Sequence, residues 1–149
     1  MTWGSFIVKT LGMLLLLWLV LFFAYGNIIL IDNIVPAEGI DVDEWISSYK
    51  ICGGISGLLG FICAAIWFFI GNGYAGEGGI GIKFYGLLIL SIVLGLICSF
   101  LILPASVDGS GLASIFVVAF PPVLYYLTGL LAYAPAVKYI PAGADTLHK

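Results

Sequence analysis

The chain has 149 residues, 62% of them hydrophobic and only 9% charged, with a formal net charge of −3 and a mean hydropathy of +1.20. Soluble domains carry roughly 25% charged residues, and a chain this short has too little interior to hide so much apolar surface from water. A water-soluble globule is excluded, and five Lys without a single Arg give no basic patch for nucleic acid.

Charges leave four long gaps: residues 10–31, 51–76, 84–107 and 109–137 contain none. About 20 apolar residues in a helix cross a hydrocarbon core about 30 Å thick. In lipid, continuous apolar runs must be helical, because nothing else satisfies their backbone polar groups. The sequence therefore predicts an all-α integral membrane protein, a single membrane domain with four transmembrane helices in an antiparallel bundle with short loops. The spans are placed at 9–31, 51–71, 84–104 and 112–134. Lys9, Lys83, Lys138 and Lys149 fall on one side and Lys50 alone on the other. The excess of Lys marks the cytoplasmic side, so both termini are expected inside (N-in/C-in).

The first span opens as "MTWGSFIVKTLGMLLLLWLVLFFAYG", which has the look of a secretory leader. Its apolar run continues through Asn27 to Ile31, long enough to span, so it is read as a retained helix. Leu14 to Leu17, Trp18, Leu21, Phe22 and Phe23 make it bulky on most sides, suited to face lipid or another subunit. Asn27 and Asp32 are its candidate polar contacts.

The outer loop, 32–50, is acidic: Asp32, Glu38, Asp41, Asp43 and Glu44 precede Trp45, Ile46 and Tyr49. Asp41 or Asp43 can cap a helix whose first turn carries Glu44, so the second helix is expected to begin near Asp43, above the membrane. Asp32, Asp41, Asp43, Glu44 and Trp45 are the candidate contacts for a partner.

Helices in lipid associate through close packing at small residues. The second span carries Gly53, Gly57, Gly60, Ala64 and Gly71 along one seam, and the third carries Ser91, Gly95 and Ser99 at four-residue spacing, with Gly86 and Cys98 nearby. These two seams are expected to pair with each other. The inner loop between them, 72–83, contains Gly76-Glu77-Gly78-Gly79-Ile80-Gly81, a G-x-G-x-x-G pattern. A dinucleotide fingerprint needs a strand before it and an acidic residue about 20 positions on. Here membrane helices lie on both sides, so no nucleotide is expected.

A short outer loop, 105–111, leads into the fourth span, which carries Pro121-Pro122 near its middle. Each proline removes a donor and clashes with the preceding turn, leaving the carbonyls of Val117 and Val118 without their usual partners. A kink is expected there, with Ser99 as a candidate donor to those carbonyls. Tyr125 and Tyr126 follow, and at least one hydroxyl is expected to find a buried partner. The tail, 135–149, holds the only histidine, His148.

Cys52, Cys63 and Cys98 show no C-x-x-C spacing and suggest neither a zinc site nor a disulfide framework. No cofactor and no metal is expected. Without an ionisable residue inside a span or a histidine in the bilayer, catalysis has no foothold. The short loops and missing N-x-[ST] sequons suggest a bacterial inner membrane. The functional expectation is a non-catalytic subunit of a membrane assembly for secretion, transport or the envelope, in contact with lipids and with other subunits or copies of itself. A small oligomeric transporter or channel, and an immunity-type protein that binds a toxin through its outer loop, are the alternatives.

Overall fold

The computed structural model describes residues 2–72 and 80–131. Four helices dominate it: α1 (Trp3–Asn33), α2 (Val42–Asn72), α3 (Ile80–Ile102) and α4 (Gly111–Leu131). Each is long and apolar enough to cross a membrane. At 1.5 Å per residue α1 and α2 reach about 46 Å, α3 about 34 Å and α4 about 31 Å. The first two therefore outrun the hydrocarbon core.

The helices begin where short polar residues satisfy free amides. The Thr2 hydroxyl accepts the Ser5 N–H at 3.3 Å before α1. Asp41 precedes α2, and its carbonyl accepts the Trp45 N–H at 3.0 Å, with Asp43 and Glu44 in the first turn. That agrees with a start near Asp43. Two boundaries differ from the sequence reading. α1 begins at Trp3, so Lys9 lies inside it; α3 begins at Ile80, so Lys83 does too. The α2 helix begins nine residues before the charge-free run, because the apolar side chains of Trp45, Ile46 and Tyr49 are buried and draw the segment onto the bundle.

One feature has no signal in the hydropathy pattern. The connections α1–α2 and α3–α4 are joined by a two-stranded antiparallel ladder, β1 (Val35–Pro36) with β2 (Ser106–Asp108), pairing Val35 with Asp108 and Pro36 with Ser106 across a bulge. A further bond runs from the Ala37 N–H to the Ala105 carbonyl at 3.1 Å. Gly109, at φ +83°, turns the chain out of β2 where a side chain would run into the Asn33 carbonyl. The ladder marks this as the strand end of the bundle.

Contacts order the helices. Gly57 meets Phe120 and Gly60 meets Pro121, so α2 and α4 run parallel; Gly95 meets Val118 and Tyr125 meets Phe84, so α3 runs against α4. The α2–α4 pair makes the most extensive interface, with α3 packed on both members and α1 more sparsely so. Two apolar cores lie along this spine. One, toward the strand end, joins Phe22, Leu30, Trp45, Tyr49 and Phe120. The other, at the far end, joins Phe6, Trp67, Phe68, Phe84 and Tyr125.

The first helix is not uniformly α. After Trp18 it widens into π-helical turns over Leu19–Ala24 and Gly26–Leu30, then closes with an α-turn at Ile31–Asn33. The Tyr25 N–H reaches back to the Val20 carbonyl, a five-residue step. In this stretch the Phe22 ring seats directly on Gly53 of α2, and the Leu21 carbonyl accepts the Tyr49 hydroxyl at 2.7 Å. One turn below, the Trp18 indole donates to the Lys50 carbonyl at 3.0 Å.

Candidate functional site

The two prolines of α4 sit where three helices converge. The helix continues through Pro121 and Pro122. A methyl group placed on Gly60 would lie 2.8 Å from the Pro121 α-carbon and 2.9 Å from its carbonyl oxygen. One placed on Gly57 would lie 2.5 Å from the Phe120 ring, and one on Gly95 would lie 2.5 Å from the Val118 carbonyl oxygen. The proline segment is thus gripped between glycines of α2 and α3, against its backbone at Gly60 and Gly95 and against the Phe120 ring at Gly57.

This corrects the expected pairing of the two small-residue seams. Gly57 and Gly60 of one and Gly95 of the other admit α4 between them, and Gly53 admits Phe22 of α1. Gly60 and Gly95 approach the main chain of α4 at Pro121 and Val118, and Gly57 leaves room for the Phe120 ring. Ala64 and Ser91 are buried, and the Ser91 hydroxyl donates to the Leu88 carbonyl of its own helix at 2.6 Å. Ser99 does not supply the donor expected for Val117 and Val118. It lies one turn nearer the strand end, while Gly95 is the residue that meets the Val118 carbonyl. That carbonyl, freed by Pro122, lies where a side chain on Gly95 would stand. Of the two tyrosines beyond, Tyr125 is fully buried and donates to the Phe84 carbonyl at 2.9 Å.

Beside this clasp, α3 and α4 diverge into an open groove of about 460 Å³ lined by Ile92, Leu96, Ser99, Ser114, Ile115, Val118, Ala119 and Pro122. A second hollow of about 380 Å³ shares Ile92 and Pro122 and continues past Leu88 to Tyr126 and Leu127. The hydroxyls of Ser56, Ser91 and Thr128 bond back to carbonyls of their own helices. Those of Ser99 and Ser114 make no hydrogen bond among the described residues.

At the strand end Asp32, Glu38, Asp41, Asp43, Glu44 and Asp108 are all exposed, forming one acidic rim. Trp45, expected from the sequence as a partner contact, is instead fully buried; its indole donates to the Pro104 carbonyl at 3.1 Å and its ring stacks on Tyr49. It is a core residue because α2 starts early enough to turn it inward. Asn27 is exposed on the outer face of α1, and its side-chain amide makes no hydrogen bond within the described residues. Lys50 lies with its ammonium 5.0 Å from the Phe23 ring centre.

Cys52 is fully buried, three turns inside α2, with its thiol 3.5 Å from the Cys98 carbonyl, while Cys63 belongs to the far-end core. Among the described residues no group of three His, Cys, Asp or Glu side chains could hold a metal ion. The glycine-rich pattern, except for Ile80 and Gly81, lies outside the described residues, as does the tail with His148.

Compared with known protein families, with curated proteins and with solved structures, the chain finds no match.

Proposed function

We propose that this protein is a non-catalytic, multi-pass subunit of a larger assembly in a bacterial inner membrane, one serving secretion, transport or the envelope. The observation that carries the reading is the unpartnered outer surface of α1 and α3. Val8, Leu15, Leu16, Val20 and Phe23 on α1, and Ile82, Ile89, Phe100 and Leu101 on α3, are exposed, Phe100 to 87%. Such contiguous apolar faces mark contact with lipid or protein rather than water. Asn27 supports a protein partner: an outward amide in an apolar helix face favours a neighbouring helix that can bond it. The charged groups of the described residues lie on exposed or half-buried positions, most of them in the acidic rim at the strand end, which suits a docking surface better than a proton path. The excess of Lys toward the other end supports both termini inside.

Purification of the tagged full-length protein in mild detergent tests this reading. Stoichiometric companion chains are the expected result, with their loss on Asn27→Leu. A chain that purifies alone and supports solute flux in liposomes overturns the subunit reading in favour of a small transporter.

A further inference from the structure

We propose that Lys50 of α2 binds the phosphodiester of an amine-bearing phospholipid in the outer leaflet, with the primary ammonium of that lipid directed to Asp43. The proposal rests on the reading that the four helices cross a bilayer with the strand end outside. Depth comes first. Gly60 lies against the Pro121 backbone and Gly95 against the Val118 backbone. Ten residues back from Gly60 is Lys50, and ten back from Pro121 is Gly111, where α4 begins. Seven residues on from Gly95 is Ile102, where α3 ends, and seven back from Val118 is again Gly111. Lys50 therefore stands at the level where α3 ends and α4 begins. From Ile102 down α3 to Lys83 is 19 residues, about 28 Å at 1.5 Å per residue. That matches a hydrocarbon core of about 30 Å, outside which the head groups begin. Lys83 and Lys50 thus mark its two faces, and Lys50 stands at the depth of the outer phosphates.

Charge comes second. Lys50 is the one cation among the described residues at this end, against the excess of Lys toward the other. It is half-buried, and its ammonium lies 5.0 Å from the centre of the Phe23 ring. The α2 positions one turn away are Ile46, Ser47, Gly53 and Gly54, none of them a carboxylate. Lys50 makes no ion pair among the described residues. A cation held at the edge of hydrocarbon is stabilised by an anion, and the anion that every phospholipid supplies at this depth is its phosphodiester. Asp43 decides which lipid. It is exposed, and it precedes Lys50 by seven residues, hence on the same face of the helix and about 10 Å farther out. That gap is too wide for a direct ion pair and takes a phosphate and an ammonium in series. Phosphatidylethanolamine carries them in that order, anion inward and cation outward. Phosphatidylglycerol brings no cation to Asp43, and the quaternary ammonium of phosphatidylcholine has no N–H to donate to it.

The test is native mass spectrometry of the full chain, purified in mild detergent and incubated with an equimolar mixture of dioleoyl phosphatidylethanolamine, phosphatidylcholine and phosphatidylglycerol. Retained phosphatidylethanolamine is expected to exceed each of the others several-fold. Lys50→Gln should cut it several-fold, and Lys50→Arg should keep it. Asp43→Asn should bring phosphatidylethanolamine level with phosphatidylcholine, whereas Glu38→Gln, elsewhere on the acidic rim, should leave the preference intact. Displacement of the lipid by excess inorganic phosphate assigns the site to free phosphate and overturns the lipid. Equal retention by the wild-type chain and Lys50→Gln, in a chain that resists alkaline carbonate extraction from membranes, overturns the site alone. So does a carbodiimide cross-link between Lys50 and a carboxylate of another chain. Extraction by carbonate overturns the bilayer reading, and the site with it.

Discussion

At Gly60 α2 lies close against the backbone of α4, and the added methyl of an alanine has nowhere to go, since its three nearest atoms all belong to the Pro121 main chain. Overpacking of this kind costs about 1–3 kcal/mol. Gly60→Ala should lower the melting temperature in mild detergent, and Gly95→Ala should do the same against the Val118 carbonyl. Gly86→Ala, which meets nothing within 4 Å, should leave it unchanged. Equal effects at all three positions would remove the clasp from the account. Tyr125→Phe deletes the hydroxyl that serves the Phe84 carbonyl. Hydrogen bonds between membrane helices average about 0.6 kcal/mol, so a small but measurable loss is expected in the same assay. At this scale the sequence was informative about which residues are small and close, and uninformative about what they are close to. Spacing puts Gly57 and Gly60 on one face of a helix, but the partner is chosen by Pro121, two helices later.

Among the elements, α2 and α4 form the parallel spine to which α1 and α3 are added. Phe120 fills the space over Gly57 and touches the Phe22 ring, with centroids 5.2 Å apart. Truncating such a residue costs about 3–5 kcal/mol, so Phe120→Ala should destabilise more than any exposed substitution on α3, such as Leu96→Ala. Denaturation in mixed micelles ranks the variants, and a neutral Phe120→Ala would contradict the spine. The number and rough placement of the helices were legible because charge-free length is the dominant constraint in lipid. The π-helical turns of α1 were not. "LVLFFA" contains no proline and no polar residue, and its wide turns occur where Phe22 fits onto Gly53 and Tyr49 serves the Leu21 carbonyl. Trp45 was misplaced for a related reason: its neighbours Asp43 and Glu44 suggest solvent, while its own burial depends on Pro104 from another loop.

For the whole molecule, the proposed orientation makes a sided prediction. Cys52, Cys63 and Cys98 are all buried, which keeps the background of thiol labelling low. Glu38→Cys should react with a membrane-impermeant maleimide in intact cells, and Lys83→Cys only after permeabilisation. The reverse pattern would invert the topology, and labelling of both from one side would deny the bilayer crossing. The strand ladder is not legible in the sequence because two and three residues carry no periodicity, and its partners are about 70 positions apart. It has a mechanical consequence. By tying the first hairpin of helices to the second through their connecting loops, it acts as the spring of a clothes-peg: the jaws lie at the opposite end of the bundle, beside Trp3 and Phe84. Any separation of the two hairpins must therefore gape there while the acidic rim stays shut.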